Sequence, residues 1–167
     1  MSAFARPDDE RWMREALDAA ARAGAAGEVP VGAIVVRDGV IVAVGANAMR
    51  RESDVMQHAE VRAMRDAMRA LGTDRLIGCT VYVTLEPCSM CAGAIVLARV
   101  DRVVFAAWDP KAGMAGSVED LLRHPQLNHR PEVAGGVLES EAGAQLRAFF
   151  TTRRLGAEQG SSVDPMA

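Results

Sequence analysis

A predicted buried strand that runs directly into a Pro-Cys-x-x-Cys turn constrains this chain more than any other feature. The segment TLEPCSMC, residues 84–91, places Cys88 and Cys91 three positions apart at the start of a predicted helix. Residues three apart on a helix share a face, so both sulfurs project to one side. Pro87 is suited to a first helical turn, and a helix N-terminus favours thiolate over thiol. The pattern predicts a site for a soft divalent metal.

Two thiolates leave a zinc ion short of protein ligands, and a histidine is the expected third. His58 opens a second predicted helix and is the best candidate. His124 and His129 are the alternatives, but they lie in a loop region with no second ligand near them in sequence. A structural zinc normally takes four protein ligands, whereas a catalytic zinc takes three and keeps one position open. One histidine and two cysteines therefore predict a catalytic centre with one zinc ion.

Glu60 follows this histidine by two positions and supplies the group that a hydrolytic zinc site needs. Zinc lowers the pKa of a bound water to about 7, and a nearby carboxylate can take that proton and return it as a general acid. His-x-Glu followed by Pro-Cys-x-x-Cys is a known signature of zinc nucleobase deaminases. It is present here as HAE at 58–60 and PCSMC at 87–91. The residues predict hydrolytic removal of an amine from an electron-poor carbon.

The strand signals predict a mixed β-sheet. Two β-branched runs, 31–37 and 40–46, flank Asp38-Gly39, which is the turn chemistry of a tight antiparallel hairpin. The later strands alternate with helices, and such units need right-handed crossovers that make their strands parallel. A mixed sheet covered by helices on both faces follows.

The helical signals place one domain over residues 1–155. The opening segment DDERWMREALDAAARAG has the spacing of an amphipathic helix, with Asp8 or Asp9 as its cap. Residues 118–123 are predicted to form a short helix. Residues 156–167 are polar and small, which predicts a disordered tail.

Charge and composition limit the function classes. The formal net charge is −3, which argues against broad non-specific coating of nucleic acid but permits a local basic patch. Three cysteines cannot all pair, and a secreted disulfide scaffold would carry more. The N-terminus lacks the apolar core of a signal peptide, and no apolar run is long enough for a membrane span. We predict a cytoplasmic protein with no membrane partner and no organic cofactor.

From about residue 8 to residue 154 the chain resembles the bacterial tRNA-specific adenosine deaminases. The resemblance is carried by the stretches GEVPVGAIVV, HAEVRAM, VYVTLEPCSMCAGAI, RVVFAAWDPKAG, AGSVEDLLRHPQLNHR and GVLESEAGAQLRAFFTTRR. It implies a cytidine-deaminase-like fold, a three-layer α/β/α sandwich around a five-stranded mixed sheet, and a homodimer. The implied reaction converts adenosine to inosine at the first anticodon position of a tRNA, within the anticodon stem-loop.

The resemblance also implies a role for each matching residue. His58, Cys88 and Cys91 would hold zinc, and Glu60 would be the catalytic proton shuttle. The Asn47 side chain and the Ala59 backbone amide would recognise the flipped base. Further substrate contacts would come from Asp109 and Lys111 in one loop and from Phe149, Arg153 and Arg154 in the C-terminal helix. Arginine and aromatic side chains suit the phosphates and splayed bases of a single-stranded RNA loop.

Four residues depart from the family pattern near the expected mouth of the site. Val55, Met56 and Gln57 replace a proline and two small residues, and Trp108 stands where a smaller or basic residue is usual. Bulkier side chains there would narrow the pocket or offer bases a stacking surface. They leave the metal chemistry intact and bear on the identity of the substrate.

Three other functions compete with a tRNA deaminase. The same chemistry serves a deaminase of a free nucleobase or nucleoside, such as guanine, cytosine or adenosine. A non-catalytic RNA-binding subunit would be expected to lose the proton-shuttling glutamate, yet Glu60 is present. A purely structural zinc module would be expected to supply a fourth ligand.

Overall fold

A computed structural model describes residues 5–160 of the protein, with side chains described up to Arg154. Within this range the chain forms four helices and five strands. The helices are α1 (Asp9–Ala25), α2 (Ala59–Leu71), α3 (Ser89–Leu97) and α4 (Glu139–Gly160), and the strands are β1 (Gly32–Arg37), β2 (Val40–Ala46), β3 (Cys79–Leu85), β4 (Arg102–Ala107) and β5 (Glu132–Gly135). No helix in residues 5–160 has both the length and the apolar character that crossing a bilayer requires.

The five strands form one mixed sheet in the order β2-β1-β3-β4-β5. β1 pairs antiparallel with both β2 and β3, whereas β3, β4 and β5 run parallel. The predicted hairpin is confirmed: Asp38 and Gly39 both have positive φ, 52° and 72°, as the tight turn that suits the strand twist requires. The prediction that strands joined through a helix run parallel is also confirmed, because β3 and β4, which α3 connects, pair in parallel.

Two apolar layers cover the two faces of the sheet, which confirms the three-layer α/β/α sandwich. Neighbouring strand residues point to opposite faces, so the side chains of β1, β3 and β4 divide between the layers. Val35, Val81 and Val103 pack with α2 and α3, and Ile34, Tyr82 and Val104 pack with α1 and α4.

Two glycines allow helices to lie directly on the hairpin strands. A Cβ on Gly45 of β2 would be 2.1 Å from the Ala59 carbonyl oxygen and 2.6 Å from the Ala63 nitrogen. A Cβ on Gly32 of β1 would likewise be 2.2 Å from the Ala16 carbonyl oxygen. Gly45 therefore sets how closely the first turn of α2 approaches the sheet, and that turn follows His58.

Asp9 has a different role from the predicted helix cap. Its carboxylate is buried and accepts hydrogen bonds from the Arg102 guanidinium at 2.7 and 2.9 Å and from the Tyr82 hydroxyl at 2.9 Å. Asp8 occupies the cap position of α1 without a capping side-chain hydrogen bond. Burial opposes the charge on Asp9, but the hydrogen bonds outweigh it and hold its pKa below the ordinary value.

Residues 118–123 and the C-terminal helix differ from their predictions. The short helix predicted over 118–123 is wrong, because Asp120 forms a β-bridge with Ala115 within a series of turns. α4 continues to Gly160 and so includes the first part of the predicted tail 156–167. Residues 161–167 lie outside the described residues, and the domain boundary at 155 stays a prediction.

Candidate active site

The three predicted metal ligands meet at one end of the sheet. His58 immediately precedes α2, Cys88 immediately precedes α3, and Cys91 lies in the first turn of α3. The His58 Nδ1 lies 3.6 Å from the Cys88 Sγ and 3.5 Å from the Cys91 Sγ. The candidate ligand atoms of the three residues all lie within 4.8 Å of one another. His124 and His129 do not join this cluster.

The electrostatics of the cluster favour a cation. The hydrogen bond between the two thiols lowers the pKa of Cys88 to about 3 and raises that of Cys91, so the pair supplies a thiolate at neutral pH. The hydrogen bond with Cys88 also raises the pKa of His58, so a bound metal ion would replace the proton that the imidazole shares with this sulfur. One imidazole nitrogen and two sulfurs are ligands that zinc prefers, and three ligands correspond to a catalytic centre. The donor set therefore fits the predicted single zinc ion.

Glu60 lies beside this cluster as a buried carboxyl group. Its side chain belongs to the first turn of α2, its residue is 3% exposed, and its Oε2 has no hydrogen-bond partner. Burial raises the pKa of this carboxyl. A buried carboxyl with an unpartnered oxygen is suited to accepting and returning a proton.

A pocket of about 190 Å³ opens onto these residues. Its wall includes His58, Glu60 and Cys88, together with three of the residues predicted to bind substrate: Asn47, Ala59 and Asp109. Asn47 directly follows β2 and is buried, with its backbone N–H donating to the Val31 carbonyl oxygen at 3.0 Å. Val29, Val31, Met49, Leu85, Glu86 and Ala112 complete the wall. The remaining ligand, Cys91, is buried behind this surface.

Three other predicted substrate-binding residues lie outside the pocket wall. Lys111 is exposed on the loop after β4. Phe149 lines a groove between α1 and α4, where the Arg153 guanidinium lies 5.4 Å from the centre of its ring. The structure thus brings the predicted metal ligands together with Asn47, Ala59 and Asp109 and leaves Lys111, Phe149 and Arg153 outside the pocket.

The four departures near the site mouth differ in what they contact. Val55 and Met56 are exposed on the loop before α2. Gln57 is buried and bonds to Asp54 and Arg62. None of these three is part of the pocket wall, and Trp108, 42% exposed, lies outside it too with its ring edge-to-face on Phe105. None of the four side chains therefore lines this pocket.

Glu86 is a charged residue of the pocket wall whose place there the sequence pattern did not predict. It lies in the pocket wall two positions before Cys88, and its buried carboxylate accepts hydrogen bonds from the loop after β4. Burial opposes its charge, but these hydrogen bonds hold its pKa below the ordinary value. The available signal was an acidic residue between a buried strand and the metal-binding turn.

Comparison with known proteins agrees with this geometry. Residues 6–107 match the family model of the cytidine and deoxycytidylate deaminase zinc-binding region. The chain is 50% identical over 146 residues to the tRNA-specific adenosine deaminase of Bacillus subtilis (strain 168), covering 87% of this chain and 91% of that protein.

Solved structures extend the comparison. One from a study of A-to-I editing by tRNA:A34 deaminases at the wobble position superposes with a TM-score of 0.79 and 44% identity, covering 81% of this chain and 99% of that one. A guanine deaminase from Nitrosomonas europaea superposes with a TM-score of 0.76 at 26% identity, covering 89% of this chain and 86% of that one. The fold is therefore cytidine-deaminase-like, as the resemblance implied. The chain belongs to the zinc-binding deaminase family of the cytidine and deoxycytidylate deaminases, and within it to the family of the tRNA-specific adenosine deaminases.

Proposed function

We propose that this protein hydrolyses adenosine to inosine at the first anticodon position of a tRNA, with one zinc ion per chain. The observation that carries the chemistry is the buried carboxyl of Glu60, with its unpartnered Oε2, beside the cluster of His58, Cys88 and Cys91. The identity with tRNA-specific adenosine deaminases, 50% over most of the chain, supports the choice of substrate. A tRNA substrate agrees with the predicted cytoplasmic location.

The residues of the chain have separate tasks in this reaction. Bound to His58, Cys88 and Cys91, a zinc ion would act as a Lewis acid and make water nucleophilic near neutral pH. Glu60 accepts a proton from the attacking water and delivers it to N1 of adenine while the water oxygen bonds to C6. Glu60 then takes the second proton and passes it to the amine, which leaves as ammonia. The raised pKa of this carboxyl suits both directions of transfer.

Recognition of the base is assigned to the pocket wall. Asn47 is buried there, and its side-chain amide offers a donor and an acceptor, which matches an adenine edge that carries one acceptor beside an amino group. Ala59 is the first residue of α2, and helix N-termini leave backbone N–H groups free for such contacts. To enter this pocket, the adenine must leave the stack of neighbouring bases. The free energy required is lowest in a single-stranded loop, where no base pair has to be broken.

The anticodon stem-loop is assigned to the outer surface. Asp109 in the pocket wall and the exposed Lys111 would contact the target nucleotide and its neighbours. Phe149 and Arg153 on α4 would contact the rest of the loop by stacking and by phosphate binding. Arg154 is exposed beside them.

The homodimer implied by the family resemblance is part of the same proposal. Val55, Met56 and Leu97 are exposed apolar side chains, and association that buries such side chains is favourable. Sedimentation equilibrium should give twice the chain mass of 17.8 kDa. A mass of one chain at micromolar concentration would contradict it.

A substrate panel tests the proposed function directly. Zinc-loaded protein is assayed on an anticodon stem-loop with adenosine at the first anticodon position, on the same loop with that adenosine moved by one position, and on free adenosine, guanine and cytosine. Inosine formed only in the first loop is the expected result. Turnover of a free base with none on the loop would instead assign the pocket to a small molecule, as in the guanine deaminase of the same fold. Glu60→Gln is the matched inactive control.

A further inference from the structure

Glu86 has a buried side chain that the proposed mechanism leaves without a task. The residue is 2% exposed and follows the last residue of β3, and its backbone N–H donates to the Ala107 carbonyl oxygen at 2.8 Å. Pro87 and the metal-binding Cys88 come directly after it. A carboxylate buried in this way requires hydrogen-bond donors to compensate for its lost solvation.

The donors come from a single loop, residues 109–117, that follows β4. One carboxylate oxygen of Glu86 accepts from the backbone N–H of Ala115 at 2.9 Å and of Ser117 at 3.1 Å. The other accepts from the backbone N–H of Asp109 at 2.9 Å and from the Ser117 hydroxyl. These donors lie at the start and the end of the loop. The Glu86 carboxylate is therefore hydrogen-bonded to both ends of loop 109–117.

The loop also closes tightly around the carboxylate. A Cβ on Gly113 would lie 2.2 Å from the nearer Glu86 oxygen. The Met114 N–H donates to the Pro87 carbonyl oxygen at 2.9 Å, which joins the loop to the turn that precedes Cys88. Asp109 in turn accepts from the Lys111 N–H at 3.0 Å through its own side chain. The position of Asp109 in the pocket wall is therefore determined by contacts that lead back to Glu86.

We infer that Glu86 is a positioning residue for substrate binding, whose carboxylate is the template on which loop 109–117 folds beside the metal-binding turn. Glu86 acts through Asp109 and Lys111, which it places at the mouth of the pocket. This inference rests on the proposed function, in which this loop contacts the target nucleotide. It assigns the effect of Glu86 to binding of the nucleotide and its neighbours, while proton transfer stays with Glu60.

Two substitutions disturb the same contact from opposite sides. Glu86→Gln keeps the shape of the side chain but replaces one acceptor oxygen with an NH₂ group. That group would face the N–H and O–H donors of loop 109–117, which would lose their acceptor. Gly113→Ala keeps the carboxylate and places a methyl group against it. Ser117→Ala removes only the hydroxyl donor and is the milder variant if Glu86→Gln does not fold. The matched controls are Glu10→Gln, an exposed carboxylate on α1, and Gly93→Ala, where an added Cβ meets nothing within 4 Å.

Steady-state kinetics on the anticodon stem-loop distinguish positioning from catalysis. We expect Glu86→Gln and Gly113→Ala to raise KM on the order of tenfold or more, with kcat reduced only a few-fold and the zinc content unchanged. The control variants should match the wild type in KM. A loss of kcat at unchanged KM, or a loss of zinc, would assign Glu86 to the metal-binding turn and overturn the inference.

Amide hydrogen exchange supplies a readout that does not depend on the substrate. The backbone amides of Asp109, Ala115 and Ser117 should exchange slowly in the wild type and much faster in Glu86→Gln, with the rest of the sheet unchanged. Equal exchange rates in the two proteins would overturn the template role. If the wild-type protein deaminates no anticodon loop, the proposed function fails, and the exchange rates still decide whether Glu86 organises this loop.

Discussion

Arg102 of β4 and Asp9 of α1 form a buried ion pair that joins the fourth strand to the first helix. Two guanidinium nitrogens of Arg102 lie 2.7 and 2.9 Å from the Asp9 carboxylate oxygens, and both residues are at most 2% exposed. The Arg102 Nε also contacts Glu132 of β5 at 2.7 Å. This pair lies at the end of the sheet opposite the metal ligands, so its effect is on stability and not on chemistry.

We predict that Asp9→Asn lowers the free energy of unfolding by about 3–5 kcal/mol, because it removes the buried carboxylate charge that pairs with two guanidinium nitrogens of Arg102. Urea denaturation at pH 7 measures the difference. Asp18→Asn, an exposed change on the same helix, should alter the free energy of unfolding by no more than about 0.5 kcal/mol. An equal effect of the two substitutions would contradict the importance of the buried pair.

The same pair predicts a pH dependence whose sign follows from the lowered pKa of Asp9. A carboxyl with a folded pKa below its unfolded value contributes its full stabilisation above the unfolded value, near 3.8, and loses it as pH falls through the folded value. The stability gap between wild type and Asp9→Asn should therefore be constant from pH 7 to about 5 and shrink in more acidic solution. Acid also protonates the candidate metal ligands, but it does so in both proteins. Its effect on stability therefore cancels in the difference between wild type and Asp9→Asn. A constant gap down to pH 2 would contradict this assignment.

Two of the three cysteines, Cys91 and Cys79, provide a matched test of the metal site. Cys91→Ala removes a candidate ligand, and we expect bound zinc to fall from about one ion per chain to near zero, together with activity. Cys79→Ala removes a thiol that is fully buried in the core beside Val81 and Val103. It should cost roughly 1 kcal/mol of stability and retain the zinc. Metal analysis of both purified variants decides between a three-ligand centre and a site that uses other residues.

Glu60→Gln separates proton transfer from metal binding. The carboxyl lies beside the ligands without being one of them, so the variant should fold and keep its zinc. We expect kcat on the tRNA loop to fall by about 10²–10⁴-fold, the usual contribution of a positioned general acid–base group. Turnover within a few-fold of the wild type would remove Glu60 from its catalytic role. Loss of zinc would show instead that this carboxyl supports the metal site.

The two close-contact glycines allow a steric test of the placement of α2. Gly45→Ala pushes against the Ala59 carbonyl oxygen, and Gly32→Ala pushes against that of Ala16 in α1. Both substitutions should destabilise the fold by about 1–3 kcal/mol through overpacking. Only Gly45→Ala displaces the helix turn that carries His58 and Glu60, so only it should lower kcat/KM beyond the loss of folded protein. Equal losses per folded molecule would contradict the role of Gly45.

Salt dependence tests the RNA surface on α4. Each phosphate neutralised on a single strand contributes about −0.7 to the slope of log Kobs against log salt concentration. Arg153→Ala should make this slope shallower by about that amount for the anticodon stem-loop. Arg69→Ala, on the exposed last turn of α2, should leave the slope unchanged. A flat dependence in the wild type would favour a free nucleobase as substrate.

The metal site and the hairpin were predictable from sequence because each depends on short-range chemistry. Cys88 and Cys91 are on one helical turn, and His58 also opens a helix, so the residue types and their spacing predicted the cluster that the structure brings together. Asp38-Gly39 identified its turn for the same reason, since both positions require positive φ. Asn47, by contrast, was predicted only through the family resemblance, because its burial in the pocket depends on packing between segments that are distant in the sequence.

Features that depend on contacts between residues far apart in the sequence were not predicted. Asp9 has an ordinary position for a helix cap, and nothing local shows that Arg102, 93 residues later, binds it. The four-residue β5 has little strand signal of its own, and its state depends on pairing with β4. Gly135 in that strand lies against the Phe105 ring, where a Cβ would be 2.3 Å from the nearest ring carbon. Glu86 was missed for the same reason, because its donors come from a loop that begins 23 residues later.

The sheet places all of its metal-binding and pocket segments at one end, and the Asp38-Gly39 turn lies at the other. That turn is exposed, joins two adjacent strands and contacts none of the pocket residues. It is therefore a suitable insertion point for a peptide tag, a fluorescent reporter or a fused nucleic-acid-targeting domain. A cargo attached there would lie away from the pocket mouth, at the opposite end of the sheet.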